Sequence, residues 1–162
     1  MKIAIAGYGV VGRGTHELLM MNREKIAARA GEEIEVKYVL DPKPLEGTPA
    51  ESLRASGIEE ILADPEVQLL VEAIGGVGPA YEYVKAALES GRSVVTPNKQ
   101  LVAEKGAELL AIAKEKNVGF LFEASVAGGT PVLHPISQCL WANDLDLAAG
   151  ILNGTTDRKS VV

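Results

Sequence analysis

Three glycines near the start of the chain have the spacing of a phosphate-binding turn. Gly7, Gly9 and Gly12 form the pattern G-x-G-x-x-G between a short apolar run and a helical pattern. In such a turn the first glycine permits a tight bend, the second lets a pyrophosphate approach bare backbone, and the third lets the helix pack against the strand. The amide groups at the start of the helix, at Val10 and Val11, would bind the phosphates. The pattern predicts dinucleotide binding; a glycine-rich turn without a ligand is the alternative.

A second candidate for dinucleotide contact comes at the end of the next predicted strand, which covers residues 34–40. Asp41 follows that strand directly and precedes Pro42. A carboxylate in this position can accept hydrogen bonds from the adenosine ribose hydroxyls, which favours NAD. Lys43 is close by and could instead bind the 2′-phosphate of NADP, so the use of either cofactor stays open. A solvated aspartate in a turn before proline is the alternative interpretation.

Two adjacent glycines follow the apolar run at residues 68–74. Gly75 and Gly76 would leave room for the central portion of a dinucleotide, because ligands of doubly wound sheets lie across the carboxyl ends of the strands. A tight turn alone would also need glycine, so this alternative stays open too.

The elements that must position these groups alternate along the chain. Short runs rich in apolar residues predict strands over residues 3–6, 34–40, 68–74, 93–96 and 118–122. Longer patterns predict helices over residues 10–29, 79–89 and 101–116, with a short helical turn over 58–62. The buried side of the first helix is expected to consist of Val11, Leu18, Leu19, Ile26 and Ala27. The alternation predicts an α/β fold, a Rossmann-like, doubly wound, mostly parallel sheet with right-handed connections.

The last part of the chain has a different character, which indicates the start of a second domain. Residues 123–131 are small and glycine-rich, residues 131–140 have a helical pattern, and residues 145–152 suit a strand. We therefore predict a dinucleotide-binding domain over residues 1–130 and an incomplete second region over residues 131–162.

The composition excludes several classes of function. The formal net charge is −6, which argues against nucleic acid and anionic membranes as partners. No apolar stretch has the length of a membrane span or of a signal peptide. Cys139 is the single cysteine, so no internal disulfide can form and a cytoplasmic location is expected. Its apolar context predicts a small core residue rather than a nucleophile.

Four blocks of sequence, taken together, extend the interpretation to nearly the whole chain. They are the opening glycine pattern, residues 94–99 (VVTPNK), residues 122–131 (FEASVAGGTP) and residues 150–156 (GILNGTT). In this order the blocks resemble the homoserine dehydrogenase family, whose members interconvert L-homoserine and L-aspartate 4-semialdehyde with NAD or NADP. The resemblance implies an oxidoreductase of the pathway to threonine, methionine and isoleucine.

The resemblance also implies roles for particular residues. Lys99 would reach the nicotinamide end of the cofactor and contact the substrate oxygen; a solvated lysine at a helix start is the alternative. The family's monovalent-cation site corresponds to the carboxylate of Glu123 and the main-chain carbonyls of Val126, Gly128 and Thr130. Hard oxygen ligands of this kind suit Na⁺, although Glu123 could instead be a hydrogen-bond acceptor within the loop.

The end of the chain departs from the family pattern. The family continues into a substrate-binding, dimer-forming domain that carries its acid–base aspartate and lysine, whereas here Asp157 and a short polar tail follow the last block. We therefore expect a chain that binds cofactor but turns over poorly or not at all. The unpaired face of residues 131–152 would promote self-association as a homo-oligomer through Leu133, Ile136, Leu140, Trp141 and Leu145.

Two other functions stay open from the sequence. One is a small Rossmann dehydrogenase of another type with Lys99 as its acid–base group, and the other is a non-catalytic NAD(P)-binding or sensing module. His16 and His134 have no spacing typical of metal ligands, and we expect structural or surface roles for both.

Overall fold

Five short strands form a parallel sheet in the computed structural model, which describes residues 1–140, 142–144 and 147. The strands are β1 (Lys2–Ala6), β2 (Glu35–Leu40), β3 (Val67–Glu72), β4 (Ser93–Val95) and β5 (Phe120–Leu121). Their order across the sheet is β2-β1-β3-β4-β5, and every neighbouring pair is parallel. The chain therefore winds from β1 to one side and then crosses to the other side at β3. This arrangement confirms the predicted doubly wound α/β fold.

Helices connect the strands and cover the sheet. They are α1 (Val10–Met21), α2 (Arg23–Ala30), α3 (Ile58–Ala63), α4 (Gly78–Glu89), α5 (Lys99–Lys116) and α6 (Glu123–Ala127). A 3₁₀ turn covers Glu51–Leu53 and a π-helical turn covers Pro135–Cys139. The longest, α5, begins where the side chain of Asn98 accepts a hydrogen bond from the Leu101 amide, and it ends at Asn117 in the left-handed conformation.

The core consists of two apolar clusters, one on each face of the sheet. Alternate residues of β1 point to opposite faces, so Ile3 and Ile5 join one cluster while Ala4 and Ala6 join the other. All four are essentially inaccessible to solvent. This two-sided burial explains why β1 is continuously apolar rather than alternating.

The prediction of one continuous helix over residues 10–29 is wrong. The structure has two helices that meet at Asn22, whose φ of −116° and ψ of 22° are not helical. The backbone and side-chain amides of Asn22 both donate to the carbonyl oxygen of Leu18, each at 3.1 Å. An asparagine side chain that competes for backbone partners in this way favours the end of a helix.

The predicted buried side of α1 is also wrong in part. Val11 and Leu18 are 51% and 60% exposed, whereas Gly12 and His16 are buried. Close contact between Gly12 and the backbone of Gly7 rotates the helix, so the face at positions 12, 16 and 19 meets the sheet. The helical pattern allowed either face; the glycine contact selects one.

Five further predictions concern the C-terminal part. Cys139 is exposed, which contradicts the predicted core position, because the π-helical turn lies at the surface and buries little of itself. The helix predicted over 131–140 is shorter, the strand over 118–122 shrinks to β5, and the loop after β5 contains α6. The strand predicted over 145–152 lies outside the described residues except at position 147.

The apolar face predicted for self-association is only partly described. Leu133 and Ile136 are half-buried and Leu140 is 39% exposed, whereas Trp141 and Leu145 lie outside the described residues. Within residues 1–140 and the few described beyond them, no helix combines the length and apolarity needed to cross a membrane.

Candidate functional site

The turn between β1 and α1 is shaped by contact between two glycines. Gly7 has a φ of +95°, in the region that favours glycine, and its amide donates to the Leu40 carbonyl at 2.8 Å. A Cβ built on Gly12 would lie 1.9 Å from the carbonyl oxygen of Gly7. Gly9, by contrast, has no atom within 4 Å of its Cβ position. The first and third glycines of the pattern are therefore needed by the fold, and the second leaves bare backbone facing open space.

The N-terminus of α1 has the features of an anion site. Its N-cap residue is Gly9, no side chain of the described residues caps it, and no acidic residue occupies its first turn. The first amides of a helix have no partners within the helix, and the helix dipole favours negative charge there. Val10 and Val11, whose amides were assigned to the phosphates, are 93% and 51% exposed at this end.

Asp41 lies beside the glycine turn although the two are far apart in sequence. Its Oδ2 accepts a hydrogen bond from the Tyr8 amide at 2.6 Å, and its Oδ1 accepts one from the Lys43 amide at 2.8 Å. Since a carboxylate has about four acceptor positions, further hydrogen bonds from hydroxyl groups remain available. The carboxylate thus joins the ends of β1 and β2 at the mouth of the cleft.

A cleft of about 690 Å³ runs along the carboxyl ends of β1, β2 and β3. This volume is within the usual range for small-molecule sites. Gly7, Gly9 and Asp41 line it, together with Ala73 and Ile74 from the end of β3. It opens at the point where the winding direction of the sheet reverses, which is where ligands of such folds bind.

Three basic side chains also line this cleft: Arg13, Lys43 and Arg54. Arg13 pairs with Glu17 at 2.8 Å, while Arg54 donates from Nη1 to the Lys43 carbonyl at 3.3 Å. Arg54 comes to the site through a bridge to Val39 of β2. Sequence reasoning missed Arg13 and Arg54, and for Arg54 no local pattern could have revealed that bridge.

Gly75 and Gly76 form a turn after β3, with φ values of +82° and +69°. They are exposed and do not line the cleft, although Ile74 before them and Pro79 and Tyr83 after them do. Lys99 is exposed at the first position of α5, also beyond the wall of the cleft. Their cofactor contacts stay predictions.

A buried polar network supports both of these turns, and sequence reasoning did not identify it. Glu72 and Thr96 are fully buried and Asn98 is 8% exposed. The Thr96 hydroxyl donates to the carboxylate of Glu72 and accepts the backbone amide of Asn98. The sequence did contain one sign of this network, because Glu72 is a charged residue at the end of an otherwise apolar strand.

Glu123 accepts three backbone hydrogen bonds. Its Oε1 accepts from Val132 and Leu133 at 2.5 and 2.9 Å, and its Oε2 accepts from His134 at 2.7 Å. These bonds, that from Val132 foremost, hold the pKa of Glu123 below its ordinary value. The carboxylate thus acts as an acceptor within the loop, and its role as a cation ligand with Val126, Gly128 and Thr130 stays a prediction.

The two histidines have different environments. His16 is 4% exposed, and its Nδ1 lies 2.8 Å from the hydroxyl of Tyr8, which belongs to the glycine turn. His134 is exposed. Among the described residues, no group of three or more histidine, cysteine, aspartate or glutamate side chains could hold a metal ion.

The buried His16 predicts a loss of stability in acid. Burial lowers its pKa, and the charge of Glu17 opposes this only in part. The folded protein therefore binds the proton less tightly than the unfolded chain, where histidine has a pKa of about 6.5. His16 adds no pH dependence well above that value, and the free energy of unfolding falls as the pH drops from there toward the lower folded pKa.

Denaturant titrations at a series of pH values measure this dependence. The substitution His16→Gln should flatten it below about pH 6.5. An equal slope in the variant and the original chain would contradict the assignment to His16.

Comparison with known proteins gives one consistent family. A family model described as "Homoserine dehydrogenase, NAD binding domain" matches residues 7–123. The chain is 45% identical over 157 residues to a homoserine dehydrogenase of Pseudomonas aeruginosa, and this similarity covers 96% of the chain and 36% of that protein. The chain thus spans about a third of the length of the curated relatives it matches.

Solved structures show the same similarity in three dimensions. A homoserine dehydrogenase from Thiobacillus denitrificans superposes with a TM-score of 0.80 at 39% identity, over 88% of this chain and 34% of that one. A hyperthermophilic archaeal homoserine dehydrogenase in complex with NADPH superposes with a TM-score of 0.67 at 28% identity, over 84% of this chain and 48% of that one.

Proposed function

The chain belongs to the homoserine dehydrogenase family, and from this premise we propose that it binds NAD or NADP for the interconversion of L-homoserine and L-aspartate 4-semialdehyde. The observation that carries the proposal is the contact between Gly12 and Gly7 beside the open Gly9. Two of the three glycines are required by the turn, whereas the space at Gly9 serves no packing need. That space, next to an uncapped helix N-terminus, fits a pyrophosphate.

We assign roles to the remaining groups as the family resemblance implies them, both for residues that line the cleft and for residues that lie outside it. Asp41 would accept hydrogen bonds from the adenosine ribose, and the amides of Val10 and Val11 would bind the pyrophosphate. Gly75 and Gly76 would border the central portion of the dinucleotide, and Lys99 would contact its nicotinamide end and the substrate oxygen. The nicotinamide ring, when bound, supplies the acceptor or donor of a hydride.

Direct titration tests the proposal. The purified chain is titrated into NADPH and NADH while the nicotinamide fluorescence is followed, and homoserine-dependent reduction of NAD⁺ and NADP⁺ is measured at high protein concentration. Saturable binding is expected. The absence of binding to both dinucleotides would overturn the proposal, and binding with little or no reduction is the result expected from the sequence.

The basic side chains at the cleft predict an affinity for the 2′-phosphate of NADP, beside the carboxylate of Asp41 that favours NAD. Lys43 and Arg54 lie on the adenosine side, next to Asp41, where a 2′-phosphate would stand. Loss of a charged hydrogen bond weakens binding by about tenfold, so Lys43→Ala and Arg54→Ala should each reduce NADPH affinity by that factor and leave NADH affinity nearly unchanged.

Dissociation constants for both dinucleotides measure this affinity. The matched control is Lys25→Ala, which removes an equal charge from the exposed surface of α2, away from the residues that line the cleft. Equal losses for NADPH and NADH in the cleft variants would show that these side chains do not distinguish the two cofactors.

We further propose a monovalent cation at Glu123 and the carbonyls of Val126, Gly128 and Thr130. One carboxylate and three carbonyl oxygens are the hard ligands that Na⁺ prefers, and the hydrogen bonds to Glu123 keep it ionised. A sodium titration monitored by thermal denaturation, with potassium and choline for comparison, tests this site.

We also propose that the chain self-associates as a homo-oligomer. Leu140 is partly exposed near the π-helical turn, and Leu18 and Met21 are 60% and 81% exposed on α1. Apolar surface of this kind favours contacts between copies. Light scattering across a concentration series tests the proposal, and a constant monomer mass would contradict it.

A further inference from the structure

Glu72 is a buried carboxylate that the proposed function does not use. It is the last residue of β3 and has 0% of its surface exposed. We propose that Glu72 is a positioning residue that organises the nicotinamide half of the dinucleotide site, through Thr96 and Asn98, without touching the dinucleotide. The inference rests on the proposed function and adds a residue to it.

The carboxylate first fixes the turn after its own strand. Its Oε1 accepts hydrogen bonds from the amides of Ile74 and Gly75 at 2.7 and 3.2 Å. Two amides directed at one oxygen bend the chain back over the end of β3, and Gly75 and Gly76 provide the left-handed conformations that the bend needs.

The other oxygen reaches the neighbouring strand. Oε2 of Glu72 accepts the hydroxyl proton of Thr96 at 2.5 Å, and Oγ1 of Thr96 in turn accepts the amide of Asn98 at 2.9 Å. Because threonine has a single hydroxyl proton and a carboxylate can only accept, the direction of both hydrogen bonds is determined. One side chain thus holds the turns after β3 and β4.

Asn98 closes the network. Its Nδ2 donates to the Gly76 carbonyl at 2.6 Å, and its Oδ1 accepts the Leu101 amide at 3.1 Å. The second bond caps α5, whose first residue is Lys99. The path Glu72–Thr96–Asn98–Gly76 therefore returns to the turn from which it began, and the two turns are held in one relative position together with the start of α5.

The sheet order assigns this network to the nicotinamide half. Asp41 lies at the end of β2, on one side of β1, and would bind the adenosine ribose. A dinucleotide lying across the crevice extends from there past β1 toward β3 and β4. The turns held by Glu72 follow those two strands, so they would border the ligand from its central portion to its nicotinamide end, away from Asp41.

The deciding experiment removes one hydroxyl group and, with it, two hydrogen bonds of the network. Thr96→Val has nearly the same shape but leaves Oε2 of Glu72 without its donor and the Asn98 amide without its acceptor. We expect NADPH affinity to fall about fivefold or more, the usual effect of losing one such bond, while affinity for 2′,5′-ADP, which lacks the nicotinamide half, stays within twofold. Thr96→Ser keeps the hydroxyl and should restore NADPH binding.

Matched controls separate positioning from loss of stability. Ile61→Val removes one methyl group from a fully buried site in α3 and serves as a variant of lowered melting temperature with an intact network. It should bind NADPH as the original chain does. Hydrogen exchange at the Gly75 and Leu101 amides should accelerate together in Thr96→Val and not in Ile61→Val.

The outcomes are distinct. A Thr96→Val chain that binds NADPH normally, or that loses NADPH and 2′,5′-ADP equally, would overturn the inference. Glu72→Gln should lose more NADPH affinity than Thr96→Val, because the new amide nitrogen faces Thr96 at the position where a carboxylate oxygen accepted its hydrogen bond. If the Glu72→Gln chain does not fold, Thr96→Val still tests the inference. An original chain that binds neither NADPH nor NADH would instead overturn the proposed function.

Discussion

Substitution of Gly12 by alanine is expected to abolish dinucleotide binding and to destabilise the chain by about 3 kcal/mol or more. The new Cβ would lie 1.9 Å from the Gly7 carbonyl oxygen, 3.0 Å from the Gly7 carbonyl carbon and 3.2 Å from the side chain of Ile5. Two of these atoms are backbone in the turn itself, so the conflict cannot be relieved by a rotamer change. The helix must move away from β1, and its N-terminus then leaves the phosphate position.

Urea denaturation followed by circular dichroism, with NADPH titration of the folded fraction, measures both effects. Gly14→Ala is the matched control, because it makes the same chemical change on the same helix where no atom lies within 4 Å of the Cβ position. Alanine is the better helix former by up to about 1 kcal/mol, so the control should be neutral or slightly more stable. Equal behaviour of the two variants would refute the packing argument.

Substitution of Gly9 by valine should separate binding from folding. The backbone of Gly9, with φ of −76° and ψ of −158°, is extended and open to any residue. Its Cβ position has no neighbours within 4 Å, so the melting temperature should stay nearly unchanged. The added side chain would occupy the space assigned to the pyrophosphate, and affinity for NADPH and NADH should fall about 100-fold, equivalent to about 2.7 kcal/mol.

Both quantities are measured on one preparation, by thermal denaturation and by fluorescence titration. Unlike the cleft lysine and arginine variants, Gly9→Val should affect both dinucleotides equally, since they share the pyrophosphate. Retained affinity would mean that the ligand does not approach Gly9, and the assignment of the glycine turn to phosphate binding would then be wrong.

Local patterns were sufficient for the architecture of this chain. The apolar runs predicted all five strands to within a few residues, and their alternation with helices predicted a doubly wound parallel sheet. Strands buried on both faces must be continuously apolar, and a parallel connection needs a crossover helix. These constraints act along the sequence, so they can be read from it.

Local patterns gave wrong predictions where a helix could bury either of two faces, or where a side chain could compete for a backbone hydrogen-bond partner. The first helix could have buried Val11 and Leu18, but the contact of Gly12 with Gly7 turned Gly12 and His16 inward instead. Asn22 ended the helix because its amide competed for the Leu18 carbonyl. Cys139 had apolar neighbours in sequence, but no element of the described residues covers it, and it is exposed.

Some features of the candidate site could likewise be predicted from local sequence, and others depend on contacts between distant residues. The glycine spacing and the acidic residue after β2 were visible in the sequence because the turn and the strand end that need them are local. The approach of Asp41 to the Tyr8 amide, the bridge that brings Arg54 to the cleft, and the connection of Glu72 to Thr96 all join residues that are distant in sequence. Such contacts exist only once the strands are paired in one order and register, because hydrogen bonds act over about 3 Å and carry no trace in the spacing of residues along the chain.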